Sequence, residues 1–270
     1  MKLLWTGLAL TAVVLFCLGP VLWILSTSLK SPGLVDDRPP SLLPDLDAAS
    51  YRVALEGRGF LRSMGNSLLV AGATTVLTVL MASLAAYPLA RMAGRWRGPV
   101  LGLVLAASMF PQVSIAGAVY RMLMGMGLLN THPGLVLPYT GLMLPLAIWM
   151  LTGFFGRLPR ELEEAALVDG CGPWTTVWRV FAPVAAPAVF TTAILVFIYA
   201  WNEFFFALLV MTDPAMQTVP VAIAKFPGQY RVPWGELSAA AVVAILPLVA
   251  MVLLLQRRIV SGLTTGATKG

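Results

Sequence analysis

The chain has 270 residues, 59% hydrophobic and only 11% charged, against about a quarter charged in soluble domains, which excludes an ordinary soluble domain. Its net charge of +6 would suit a nucleic-acid partner in a soluble protein. Here the basic residues are scattered through connections between apolar stretches, so they are assigned to membrane orientation and no nucleic acid is expected.

A spanning helix needs roughly 20 apolar residues. Six stretches qualify in chain order, at about 3–29, 67–90, 100–120, 134–155, 184–211 and 237–255. They predict an all-α transmembrane fold with six spans, forming one membrane domain over 1–270. The first stretch is too long for the apolar core of a signal peptide, and no small-x-small site precedes Lys30, so it is expected to be retained. Residues 31–65 are Pro-rich and mixed in charge. The third and fourth stretches carry Pro111, Pro138 and Pro145, which kink helices where neighbours or a cavity re-satisfy the freed carbonyls.

Orientation follows from short connections. Arg91, Arg95 and Arg97 cluster after the second span, Arg157, Arg160 and Arg179 lie between the fourth and fifth, and Arg257 and Arg258 follow the sixth. The positive-inside rule places these connections and both termini in the cytoplasm. Cys17 and Cys171 lack CxxC spacing, so no metal, redox or disulfide role is expected. The only histidine, His132, lies in an outside loop and is read as structural or solvated.

Between the fourth and fifth spans, about 158–183, stands a polar hairpin. Pro159 sits where a first helical turn tolerates proline. Glu161, Glu163 and Glu164 lie near that helix's start, where the helix dipole favours negative charge. Asp169-Gly170 supplies a stop, because glycine takes the left-handed conformation beyond a helix end. A second short helix is predicted from Trp174 to Pro183.

In the fifth span, Glu203 is the only acidic residue within a predicted span, and an intramembrane ionisable group is by default a functional candidate. On a continuous helix Asn202 would face another direction, about 100° away. Residues 212–236 form a polar, aromatic connection containing Gly228, Gln229, Tyr230 and Trp234. The tail from Gly262 is glycine-rich, but it lacks the second glycine of a phosphate-binding loop and follows no strand, so it is read as a flexible tail. No catalytic constellation is present, and the chain is expected to be a non-catalytic subunit.

Glu164-Ala165-Ala166, three residues, Gly170, nine residues, then Val180-x-Ala182-Pro183 resembles the EAA loop of importer-type ABC transporter permeases. Val180 and Ala182 depart mildly from the usual Ile and Leu. Asn66-Ser67-Leu68, Phe110-Pro111, Leu128-Leu129-Asn130-Thr131, Trp201-Asn202-Glu203-Phe204 and the tail 261–270 resemble the carbohydrate permeases, in particular the shorter subunit of maltose/trehalose-type systems. The resemblance covers nearly the whole chain.

The resemblance implies a bacterial inner-membrane permease subunit of a sugar importer, with trehalose or maltose as substrate. It implies a second permease subunit, an ATPase dimer that carries the ATP and Mg, and an extracytoplasmic sugar-binding protein. The chain itself is expected to bind no cofactor and no metal, and to contact membrane lipid. The hairpin would be a coupling helix seated in an ATPase groove. There Glu164 would meet a basic or helix-terminal group, Ala165, Ala166 and Gly170 would permit close backbone approach, Asp169 would brace the turn, and Pro183 would end the second helix. Asn66, Asn202 and Glu203 would line the translocation path or gate. Gly228, Gln229, Tyr230 and Trp234 would touch the binding protein. The alternative is a secondary transporter or channel working without an ATPase, with Glu203 as its ion site.

Overall fold

In the computed structural model, residues 2–35, 41–56, 59–92, 94–226 and 232–267 are described. They form helices joined by short turns. Helix α1 is Lys2–Ser28, followed by the short α2 (Pro32–Val35) and α3 (Ala49–Glu56). Then come α4 (Phe60–Arg91), α5 (Arg97–Ser108), α6 (Gln112–Gly125) and α7 (His132–Phe155). The hairpin holds α8 (Arg160–Val168), α9 (Pro173–Thr175), a π-helical turn Thr176–Phe181 and α10 (Ala182–Val184). It leads into α11 (Ala186–Asn202), α12 (Phe205–Val210), a 3₁₀ turn Pro214–Met216, α13 (Val219–Ala224) and α14 (Trp234–Ala267).

Among the described residues, four helices are long and apolar enough to cross a membrane alone: Trp5–Ser28, Phe60–Arg91, His132–Phe155 and Trp234–Leu254. Two bent pairs bring the number to six if each pair is one span. The expected third span is not straight. Arg97–Ser108 and Gln112–Gly125 meet at 79°, because Pro111 stands at the N-cap of α6, where a missing N–H costs nothing. Pro138 and Pro145 stay inside the continuous α7 instead. At the hairpin exit, Pro173–Val184 and Ala186–Asn202 meet at 91°. The glycine-rich tail, expected to be flexible, continues α14 as helix to Ala267.

The chain divides into two compact units, Met1–Gly65 with Thr218–Leu248, and Asn66–Gln217 with Val249–Gly270. In the first unit the link after α1 folds back on the helix end. The Ser28 hydroxyl shares a 2.8 Å hydrogen bond with Tyr51 Oη, and the Asp47 N–H donates to the Leu29 carbonyl at 2.9 Å. Asp45 accepts from the Ser31 N–H at 2.8 Å. Hydrogen bonding from the Ser31 side chain first, and from its backbone second, holds the Asp45 carboxyl below the usual carboxylate range.

In the second unit the core gathers Ala82, Ala86 and Ala90 of α4, Ala147, Leu151 and Phe155 of α7, Phe181 of the hairpin, and Ala188 and Val196 of α11. Alanines at four-residue spacing let the α4 backbone approach closely, the small-residue packing that membrane helices use in place of a hydrophobic drive.

Candidate functional site

The hairpin folds as a helix, a glycine stop and a second helical arm. Pro159 is the N-cap of α8, and Glu161 and Glu163 lie in its first turn. The helix stops in a Schellman arrangement, in which the Cys171 N–H donates to the Ala166 carbonyl and the Gly170 N–H to the Leu167 carbonyl. Gly170 has φ +74°, which a residue with a Cβ would adopt only under strain. The second helix opens at Pro173 and widens into a π-helical turn over Thr176–Phe181. Pro183 follows that turn and can donate no N–H. It does not end the helix, which runs one residue further to Val184.

Two faces of α8 do different things. Glu164 and Ala165 are exposed, as is Val168 one turn later. Leu167, Val168 and Trp174 stand 60%, 89% and 61% exposed on the same hairpin. The opposite face carries Ala166, 3% exposed, and the half-buried Leu162 and Glu163. Ala166 thus packs inside this chain, while Ala165 is open. Asp169 is the exposed C-cap residue.

Glu163 is the residue that sequence reasoning passed over. Its Oε1 accepts from the Tyr87 hydroxyl at 2.6 Å, and its Oε2 lies 2.7 Å from Arg91 Nε. The latter is a charge contact, not an aligned hydrogen bond, since Arg91 Nε has no hydrogen-bond partner. Arg91 also donates through Nη1 to the Leu158 carbonyl at 3.2 Å and lies 4.9 Å from the Phe181 ring centroid. Phe181, fully buried, meets Tyr87 and Phe155 edge-on at 5.2 and 5.6 Å. Both arms of the hairpin are therefore fastened to the last turn of α4 and the end of α7. The available signal was the i, i+4 pair Tyr87/Arg91 at a helix end, facing an acidic helix start.

Glu203 is not on a continuous helix. α11 ends at Asn202, and Glu203 is extended, at φ −68° and ψ 124°. Its buried carboxylate accepts from the Tyr139 hydroxyl at 2.5 Å and from the N–H groups of Phe206 and Ala207 at 2.9 and 3.2 Å. It thus caps α12, whose first N–H groups have no intrahelical partner. Asn202 is exposed, and its amide donates to the Ile198 carbonyl at 2.7 Å. Asn202, Glu203, Gln112 and Tyr199 line one open hollow of about 410 Å³.

Asn66 stands apart from this hollow. Its amide donates to the Ala215 and Gln217 carbonyls, both at 3.0 Å, and its Oδ1 lies 3.0 Å from His132 Nε2. His132 is thus a structural partner at the start of α7. Asn130, at φ 56°, accepts from the Asp213 N–H at 2.8 Å and pairs with Thr212. Gly228, Gln229 and Tyr230 lie outside the described residues. Trp234 begins α14 and is 55% exposed.

Residues 74–265 match the family described as "Binding-protein-dependent transport system inner membrane component". Over 263 residues the chain is 42% identical to the trehalose transport system permease protein SugB of Mycobacterium tuberculosis, covering 96% of this chain and 95% of that protein. It is 41% identical to the trehalose/maltose transport system permease protein MalG of Thermococcus litoralis, covering 99% and 96%. It is 40% identical to the sulfoquinovosyl glycerol transport system permease protein SmoH of Agrobacterium fabrum, covering 93% and 88%. Among solved structures, a bacterial ABC transporter involved in the import of the acidic polysaccharide alginate shares the fold, with a TM-score of 0.80 at 21% identity over 94% of this chain and 95% of that one. With its apolar helices and its match over most of its length, the chain belongs to the binding-protein-dependent transport system inner membrane component family.

Proposed function

We propose that this chain is one of two permease subunits of an ATP-driven sugar importer, supplying half of the translocation path and performing no covalent chemistry. The observation that carries this reading is the two-faced hairpin. Its inner face is tied to α4 and α7 through Glu163 and Phe181. Its outer face offers the Glu164 carboxylate with Ala165 and Val168, and Trp174 is exposed on the second arm. An exposed apolar patch rimmed by charge suits helix-in-groove docking. An ATPase subunit seated there, holding the ATP and Mg, would move the membrane helices through the ties on the other face.

Localisation in a bacterial inner membrane with both termini and the hairpin cytoplasmic follows from the arginine distribution. Trehalose or maltose is the proposed substrate, since the relatives named for them match this chain at 41–42% over nearly its whole length. Asn202, exposed at the hollow with Gln112 and Tyr199, would supply polar contacts along the path. Trp234 would meet the extracytoplasmic binding protein. The alternative, a secondary transporter with Glu203 as ion site, is disfavoured by family membership and by a carboxylate already holding three donors.

The direct test is a tagged pull-down in mild detergent. Recovery of an ATPase and a second permease is expected, and a lone or homo-oligomeric chain in several detergents would overturn the reading. In the assembled complex, Glu164→Lys places a cation where the docking face carries an anion. Membrane insertion should be unchanged, while ATPase recovery and sugar-stimulated hydrolysis fall about tenfold or more, the size of a buried interfacial charge contact. Undiminished transport by this variant would count against the docking face.

A further inference from the structure

The end of α1 and the start of α14 enclose a groove to which the transport reading gives a role only at Trp234. One helical face of α1, Trp23, Ile24 and Thr27, with Lys30 just beyond the helix, opposes one face of α14, Trp234, Leu237, Ser238 and Ala241. The volume is about 440 Å³, within the range of about 300–1,000 Å³ of small-molecule sites. The walls are mostly apolar, with indoles at 41% and 55% exposure, the amphipathic rings that gather at membrane interfaces.

Its polar end is the unusual part. Lys30 is 2% exposed and is the only charged residue among the described residues lining the groove. The ammonium donates to the Ser41 carbonyl at 2.6 Å and lies 4.6 Å from the Trp23 ring centroid. An ammonium has three donors, and this one makes no ion pair among the described residues. Beside it, the Thr27 side chain is 9% exposed, and its buried Oγ1 has no hydrogen-bond partner. A buried hydroxyl without a partner is costly, so a ligand acceptor or donor at that place relieves a cost that the protein alone bears.

We propose that this groove holds an anionic phospholipid, its phosphate against the Lys30 ammonium and the Thr27 hydroxyl and one acyl chain between Trp23 and Trp234. Depth agrees with this occupant. The apolar length Trp5–Ser28 has 24 residues, and none of its most apolar window is buried within the protein. At 1.5 Å per residue it spans about 36 Å, which carries Lys30 to the headgroup level of a hydrocarbon core of about 30 Å. A free phosphate would leave the apolar walls unused. A zwitterionic lipid would bring its own cation to a site with no acidic residue among the described residues that line it. The inference rests only on the chain being a membrane protein and is independent of the transported substrate.

The test uses the full chain, purified with whatever subunits accompany it, delipidated and returned to defined lipid. Native mass spectrometry should show phosphatidylglycerol retained over phosphatidylcholine by about tenfold, as a charge-assisted contact implies. Lys30→Gln keeps a donor for the Ser41 carbonyl and should bring the two lipids to near parity. Ala241→Phe fills the groove and should remove both. A photoactivatable phosphatidylglycerol should label peptides containing Trp23 or Trp234. Equal retention of both lipids by the unmodified protein, a preference that survives Lys30→Gln in folded protein, or photolabelling confined to peptides outside the groove would overturn the proposal.

Discussion

Glu163→Ala should uncouple the protein while leaving its partners attached. The substitution removes the acceptor of Tyr87 and the counter-charge of Arg91. The side chains of Arg91 and Glu163 are only 14% and 21% exposed, so the pair sits between a surface salt bridge, worth at most about 1 kcal/mol, and a fully buried one, whose one-sided removal costs about 3–5 kcal/mol. An intermediate loss of about 1–3 kcal/mol is expected for the hairpin's attachment. The docking face does not include Glu163, so ATPase subunits should still co-purify. Substrate-stimulated hydrolysis and uptake should fall by about 5- to 100-fold, the span of a coupling energy of that size. Glu164→Lys is expected to do the reverse and to lose the ATPase first. Each complex would be quantified for ATPase stoichiometry by gel densitometry, and for stimulated hydrolysis in proteoliposomes. Identical behaviour of the two variants would remove the division of labour between the two faces of α8.

That division was only half legible in the sequence. Helix start, glycine stop and approximate span positions follow from local rules, because proline geometry, the left-handed preference of Gly170 and apolar run length are properties of a few adjacent residues. Glu161, Glu163 and Glu164 look alike in sequence, and only the helix's rotation about its axis decides which of them meets Arg91. That rotation is fixed by distant partners, Tyr87 76 positions away from Glu163, and Tyr87 and Phe155 against Phe181. No local pattern encodes it.

The broken spans show the same limit from another side. Pro111 marks its break in advance, since proline at a first helical position is both tolerated there and disruptive within a helix. The 91° turn before α11 has its own markers in Pro183 and Pro187, but the interruption at Glu203 carries none. Tyr199 to Phe206 reads as continuous helix, with five aromatics and no glycine or proline. What interrupts it is a long-range partner. The Tyr139 hydroxyl reaches the Glu203 carboxylate, and the N–H groups freed by the break are collected by that same carboxylate. The sequence singled out the intramembrane acid and placed it on a continuous span. It pointed to the wrong backbone conformation, because helix propensity in this stretch is overridden by a buried tertiary hydrogen bond.

Glu203→Ala should therefore destabilise the protein more than any other single change at the hollow. Removing the carboxylate leaves the Tyr139 hydroxyl and the Phe206 and Ala207 N–H groups without their acceptor. Tyr139 is fully buried and Glu203 is 7% exposed, so water reaches them poorly. Each buried donor left without an acceptor costs about 1–3 kcal/mol, so three of them together cost about 3 kcal/mol or more. Tyr139→Phe removes one donor and leaves two, for about 1–3 kcal/mol as a hydrogen bond to a charged group. Glu203→Gln keeps one acceptor oxygen, but turns an amide NH₂ toward groups that are themselves donors, so it should fall close to the alanine variant. Thermal unfolding of the purified complex in one detergent, followed by tryptophan fluorescence, ranks the variants. The expected order of stability is unmodified, Tyr139→Phe, then Glu203→Gln and Glu203→Ala together. If Glu203→Gln matched the unmodified protein in stability but lost uptake, the carboxylate would be acting on the transported molecule, and the capping role would be secondary. If Tyr139→Phe lost as much as Glu203→Ala, the hydroxyl and not the helix cap would be what holds the break.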